Sequence, residues 1–142
     1  MNIRSFQAVN SLFGRRSRSR SLYDKLGGER AIDSAVDILY NNISKDGHVN
    51  GFFDGICMHY QRYKLKVFLT MVLGGPVKYT GKDLRNAHAK LVENGLDDSH
   101  FDHVVAHLRE TLEELKVPAE EIEAVISITE STRDDVLGRD PG

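Results

Sequence analysis

From residue 22 onward the chain carries helical periods and no strand pattern, and those periods stop at glycine pairs. Apolar residues recur at three and four positions, the spacing that gathers them on one helix face. Ser21–Lys25 reads as a short helix stopped by Gly27-Gly28. Residues 29–44 read as a second helix, with Ile32, Val36, Leu39, Tyr40 and Ile43 on one side. SKDGHVNGFFDG is then a loop or tight corner carrying Phe52 and Phe53. Residues 58–73 form a third helix that ends at Gly74-Gly75-Pro76. A loop with Tyr79 and Gly81 leads into the helical run LRNAHAKLV, which Gly95 closes. Asp97, Asp98 or Ser99 caps a long helix reaching Leu115. Pro118 opens the last helix at its first turn, over residues 118–137, with acids at the favourable end of its dipole. Five or six helices without a repeat make the expected class all-α.

The 142 residues suffice for one domain and one modest core. The single cysteine, Cys57, excludes an intrachain disulfide and a thiolate zinc cage. No apolar run approaches a membrane span, so no membrane partner is expected. Residues 1–21 hold five arginines and no acid, which leaves an acidic body of 14 basic and 21 acidic side chains. Nucleic-acid binding needs a basic footprint, so that class is excluded for the body. The basic, Ser-rich head over residues 1–20 has the composition of a mitochondrial or plastid transit peptide, and equally that of a disordered tail. In a eukaryote the first reading implies an organelle; otherwise the expectation is cytoplasmic. The expected organisation is this extension, a domain over residues 21–138 and a tail over 139–142.

His88 lies inside the apolar stripe of Leu84, Ala87, Leu91 and Val92. A buried imidazole needs a partner, because an unpaired buried polar group costs roughly 2–7 kcal/mol. A backbone carbonyl, a metal or a cofactor would each serve. The third helix sets Gln61 within the face of Met58, Leu65, Phe68, Leu69 and Val72, with Lys64 at its edge. Tyr40 stands at the margin of the second helix's stripe. Polar groups converging from three helices point to a cavity with a polar ligand. The bland alternatives are a satisfied core tyrosine and a lysine that snorkels to water. His100, His103 and His107 fall opposite the stripe of Phe101, Val104, Val105, Leu108 and Leu112. His103 and His107 have chelating spacing, but no acid or thiolate accompanies them in the pattern a closed zinc site needs, so they read as a solvated face. His48 and His59 carry little signal.

The order SLYDKLGG, AVDILYNNI, GFFDG and MHYQRYKLKVFLTMVLGGPVKYTGKDLRNAH, continued by LRETLEELKVP and STRDDVLG, resembles a truncated, two-over-two haemoglobin of the first group. The resemblance covers about residues 21–137. It implies a globin-like helical sandwich around haem b. His88 matches the proximal histidine that binds haem iron. Phe53 matches the phenylalanine packed on haem, and Leu84, Tyr79, Phe68 and Phe101 look like further pocket lining. Tyr40 and Gln61 match distal positions, where a tyrosine hydroxyl donates to bound dioxygen.

Three departures qualify that expectation. Leu65 stands where many relatives have glutamine. Lys64 occupies a variable distal position, from which a lysine pairs with a haem propionate or, as a neutral amine, binds iron. Cys57 replaces the aspartate that would cap the third helix. Some relatives attach haem covalently through a histidine in the last helix; none follows His107, so non-covalent haem is expected. The resemblance implies reversible binding of dioxygen, nitric oxide and carbon monoxide by a monomer. Its enzymatic extension is nitric oxide dioxygenation with an electron-donating reductase, since no flavin or nicotinamide motif is present. The alternatives are oxygen storage or a redox or ligand sensor without turnover, and a cofactor-free helical interaction module.

Overall fold

A computed structural model describes residues 21–53, 56–77 and 80–139. The basic extension over residues 1–20, the last three residues of the tail and Tyr79 lie outside the described residues. Among the described residues seven helices follow one another: α1 (Leu22–Leu26), α2 (Glu29–Ser44), α3 (Met58–Val72), α4 (Gly81–Glu93), α5 (Asp98–Glu114), α6 (Ala119–Glu130) and α7 (Arg133–Val136). A 3-10 turn, Asn50–Phe53, lies between α2 and α3. Helix α2 packs on α3 and α5 on α6, and the two pairs meet through α2 against α5 and α3 against α6. The result is a two-over-two, globin-like helical sandwich. No described helix is long and apolar enough to cross a membrane.

The main core is built from the faces that periodicity selects. Ile32, Leu39 and Ile43 of α2 meet Leu69 and Val72 of α3 and Leu108 and Leu112 of α5. A smaller cluster of Leu84, Phe101, Val136 and Leu137 joins α4 to α7 and the start of α5. Asp97 caps α5 by accepting from the Ser99 N–H, and His100 returns a bond to the Asp97 N–H. The two glycine pairs come together through α1. Tyr23 N–H donates to the Leu73 carbonyl at 2.8 Å, and a Cβ on Gly75 would stand 2.7 Å from the Tyr23 ring. Only glycine lets α1 dock this closely on the end of α3.

Four sequence expectations need correction. The last helix breaks at Ser131-Thr132 into α6 and α7. Ser131 and Thr132 turn their hydroxyls back onto the Ile128 and Thr129 carbonyls, which competes with helix continuation. Pro118 precedes α6 as its cap residue instead of sitting in its first turn. Met58, expected on the apolar face of α3, is exposed, as are its neighbours Ile56, Tyr60 and Tyr63. Cys57 supplies no capping bond, in keeping with its replacement of an aspartate.

The histidine-bearing face of α5 is not merely solvated. Asp46, in the corner after α2, accepts from His103 Nδ1 at 2.8 Å and from His107 Nε2 at 2.7 Å. His48 stacks on His100 with ring centroids 4.4 Å apart. An acid does accompany these histidines, supplied from more than fifty residues away.

Candidate functional site

A cavity of about 190 Å³ opens among α2, the 3-10 turn, α3, α4 and α5. Interiors are otherwise packed with few voids larger than a water molecule, so a space of this size marks a site. Its walls are overwhelmingly apolar. Leu39 and Leu108, each 1% exposed, belong both to the main core and to this wall. Phe53, Phe68, Leu84 and Phe101 also line it.

Polar side chains interrupt the apolar wall, among them Gln61 and Lys64 of α3 and, from the opposite element, His88 of α4. His88 Nδ1 lies 2.8 Å from the Leu84 carbonyl, one turn back on the same helix. A carbonyl only accepts, so Nδ1 carries the proton. Nε2 then holds a bare lone pair, with no partner among the described residues. Burial holds the His88 imidazole below the usual histidine range; the Leu84 bond opposes that shift and the nearby Lys64 charge adds to it. The ring is therefore kept neutral, with one nitrogen fixed and the other free to bind a metal centre.

Gln61 is only 5% exposed, and its amide is oriented at both ends. Oε1 accepts from the Tyr40 hydroxyl at 3.1 Å, and Nε2 donates to the Phe53 carbonyl at 2.9 Å. One Nε2 proton remains for a guest in the cavity. Tyr40 itself stands behind Gln61. It stacks on Phe53 with centroids 6.2 Å apart, lies under the Arg62 guanidinium, and is not part of the cavity wall. Tyr40 thus meets the cavity through Gln61 in this structure.

Lys64 reaches from α3 to α4. Its Nζ lies 3.5 Å from the Ala87 carbonyl and 5.3 Å from the Tyr60 ring centre. Burial pushes the Lys64 ammonium below the usual lysine range, which makes the neutral amine easier to reach. Leu65 supplies only hydrocarbon to the wall.

Sequence reasoning missed several wall residues, among them Val49, Leu96 and Thr129. Phe52 and His100 both border the cavity and meet edge to face at 4.8 Å. His100 looked solvated because periodicity within α5 places it opposite the apolar stripe. The corner with Phe52 and His48 folds over that first turn, and no local pattern signals this.

The comparisons with known proteins point one way. A family model described as bacterial-like globin matches residues 21–137. The group 1 truncated haemoglobin LI410 of Chlamydomonas moewusii is 44% identical over 117 residues, covering 82% of this chain and 68% of that protein. The group 1 truncated haemoglobin GlbN of a Synechocystis species is 44% identical over 109 residues, covering 76% of this chain and 88% of that one. Among solved structures, the 2/2 haemoglobin of Synechococcus sp. PCC 7002, in its cyanomet state with covalently attached haem, superposes with a TM-score of 0.77. It is 42% identical, over 84% of this chain and all of that one.

Proposed function

The chain belongs to the bacterial-like globin family as a group 1 truncated haemoglobin, and from that premise we propose that His88 binds the haem iron and Gln61 faces the bound gas. The cofactor is haem, and the function is binding of diatomic gas ligands. The observation that carries the assignment is the bare Nε2 of a neutral His88 on an apolar wall. A flat, largely hydrocarbon cofactor suits that wall, and a metal at its centre suits that nitrogen.

Haem supplies an iron centre that binds the gas and exchanges one electron. The residues of the chain do the rest. Leu84 fixes the His88 ring through Nδ1 and raises the basicity of Nε2. Gln61, held by Tyr40 and Phe53, offers one amide proton to a polar guest. Such a hydrogen bond to a partly charged acceptor contributes about 1.5–3 kcal/mol. Phe53, Phe68, Leu84 and Phe101 exclude water and hold the cofactor by packing. No histidine follows His107, and we read the haem as held without a covalent bond.

The finer proposal is nitric oxide dioxygenation. Nitric oxide, dioxygen and one electron give nitrate, and a separate reductase supplies the electron. The apolar cavity, which extends to Leu39 and Leu108, supports it as space for a second small gas. The test is nitrate formed per nitric oxide consumed by the oxygenated protein, first in a single turnover and then with a reductase. Gas binding without nitrate would leave a binding protein.

A second reading has its own support in Lys64. A half-buried lysine with a lowered proton affinity, within reach of α4, fits an internal iron ligand that leaves when a gas arrives. That would make the protein a redox or ligand sensor. The optical spectrum of the ferric haem protein at neutral pH separates the cases: low-spin without added ligand supports Lys64 on the iron, and a water-bound form opposes it.

A further inference from the structure

We infer that Asp135, acting through Arg85, is a positioning residue for His88. The inference rests on His88 as the iron ligand. Helix α4 carries that histidine yet buries only one side chain fully, Leu84. Of its half-buried residues, His88 and Leu91 face the cavity. Against the rest of the described protein α4 packs chiefly on α7, which supplies the grip.

Arg85 Nε donates to Asp135 Oδ1 at 3.1 Å, and its Nη2 donates to the Arg139 carbonyl. The Asp135 carboxylate also lies against the first residue of α4. A Cβ on Gly81 would stand 2.5 Å from Asp135 Oδ2, so glycine is what lets the carboxylate come so near. Leu84 packs between these two contacts, in the cluster with Val136 and Leu137. The Leu84 carbonyl is also the group that fixes the His88 ring. Slippage or rotation of α4 would therefore carry the carbonyl and the imidazole together, and the Arg85–Asp135 contact opposes both movements.

The grip is anchored in turn. Asp98 at the start of α5 accepts from Arg133 through one carboxylate oxygen at 2.9 Å and from Arg139 through the other at 2.8 Å. The Arg133 guanidinium lies 4.5 Å from the centre of the Phe101 ring, which lines the cavity. One ionic chain thus links the cavity wall at Phe101, through α7, to the helix that bears His88. The Arg85 and Asp135 side chains are each about one-third exposed. Their role here is to fix a distance, and exposed ion pairs add little to stability.

The test compares Asp135→Asn and Arg85→Gln with Arg109→Gln, which breaks the ion pair with Glu123 between α5 and α6. Two signals report on His88: its ring resonances in the haem-free full chain, and the iron–histidine stretching band of the ferrous haem protein. Both should move in Asp135→Asn and Arg85→Gln, with haem loss faster by about tenfold, and neither should move in Arg109→Gln. The double variant should resemble each single one. Lower stability with both His88 signals unmoved would overturn the positioning role. Should Asp135→Asn fail to fold, Arg85→Lys keeps the charge and loses the second nitrogen, and carries the same comparison. A wild-type ferrous protein without an iron–histidine band would overturn His88 as the ligand instead, and the haem-free ring resonances would still decide the role of Asp135.

Discussion

The Tyr40 hydroxyl donates to Oε1 of Gln61 at 3.1 Å, and together with the Phe53 carbonyl on Nε2 this bond orients the Gln61 amide. With Oε1 engaged by the tyrosine, the remaining Nε2 proton is the donor left for the cavity. The pair acts as one donor with a support behind it.

Gln61→Leu should therefore speed oxygen release more than Tyr40→Phe does. Loss of the amide proton forfeits about 1.5–3 kcal/mol, one to two decades in rate. Loss of the hydroxyl leaves the amide held by the Phe53 carbonyl alone, with its donor proton still present. The double variant should release oxygen no faster than Gln61→Leu alone, as stopped-flow displacement would measure. An equal or larger effect of Tyr40→Phe would return direct donation to tyrosine.

His88→Ala should lose stable haem, because no other described imidazole joins a fixed Nδ1 to a bare Nε2 on the wall. Added imidazole should restore a ferrous spectrum in that variant. Tight haem uptake by His88→Ala without imidazole would exclude it as the ligand.

Lys64→Ala should convert any low-spin ferric spectrum to a water-bound one. A lysine binds metal only when neutral, and burial already lowers its proton affinity. The low-spin fraction should therefore grow as pH rises and vanish as it falls. A pH-independent spectrum, unchanged in Lys64→Ala, would remove lysine from the iron.

Asp46 should make the fold acid-sensitive. Hydrogen bonds from His103 and His107, with the His48 N–H, hold its carboxyl well below its ordinary value of 3.8. A carboxylate with a depressed folded value stabilises the protein above its unfolded value, and that contribution is lost as pH falls through the folded one. Asp46→Asn should lower unfolding free energy at neutral pH. The gap from wild type, followed by denaturant titration, should close below about pH 4. A gap that widens in acid would contradict the linkage.

Gly75→Ala should destabilise without touching the haem spectrum. The added methyl meets the Tyr23 ring and Thr70, each at 2.7 Å. Overpacking of this kind costs roughly 1–3 kcal/mol. Thermal and denaturant midpoints should fall, while the Soret band stays where it is.

The helices and their stops were legible because local rules set them. The amphipathic run of α2 begins at Glu29 and ends at Ser44, as its periodicity predicts, and Asp97 caps α5 by the chemistry of its own side chain. His88, Gln61 and Lys64 were legible as a site for the same reason: each puts a polar atom on a face that should be apolar. What stayed hidden depends on contacts between distant segments. Asp46 meets His103 across 57 residues, and no window along the chain joins them. The order Tyr40, Gln61, cavity has no periodic signature either. Residue identity named both partners, but their geometry alone decides which one faces the guest. The break between α6 and α7 was readable in principle, from two adjacent hydroxyl residues whose back-bonding ends a helix.

Leu39 and Leu108 hold the main core together with one flank and bound the cavity with another. The guest is thus a structural member of the molecule, packed against residues that also hold its core. Whatever binds only the folded form raises its stability with concentration, and a less stable chain is cleared sooner by cellular proteases. The steady-state amount of this protein should therefore track the supply of haem in the cell, whatever the rate at which its message is translated.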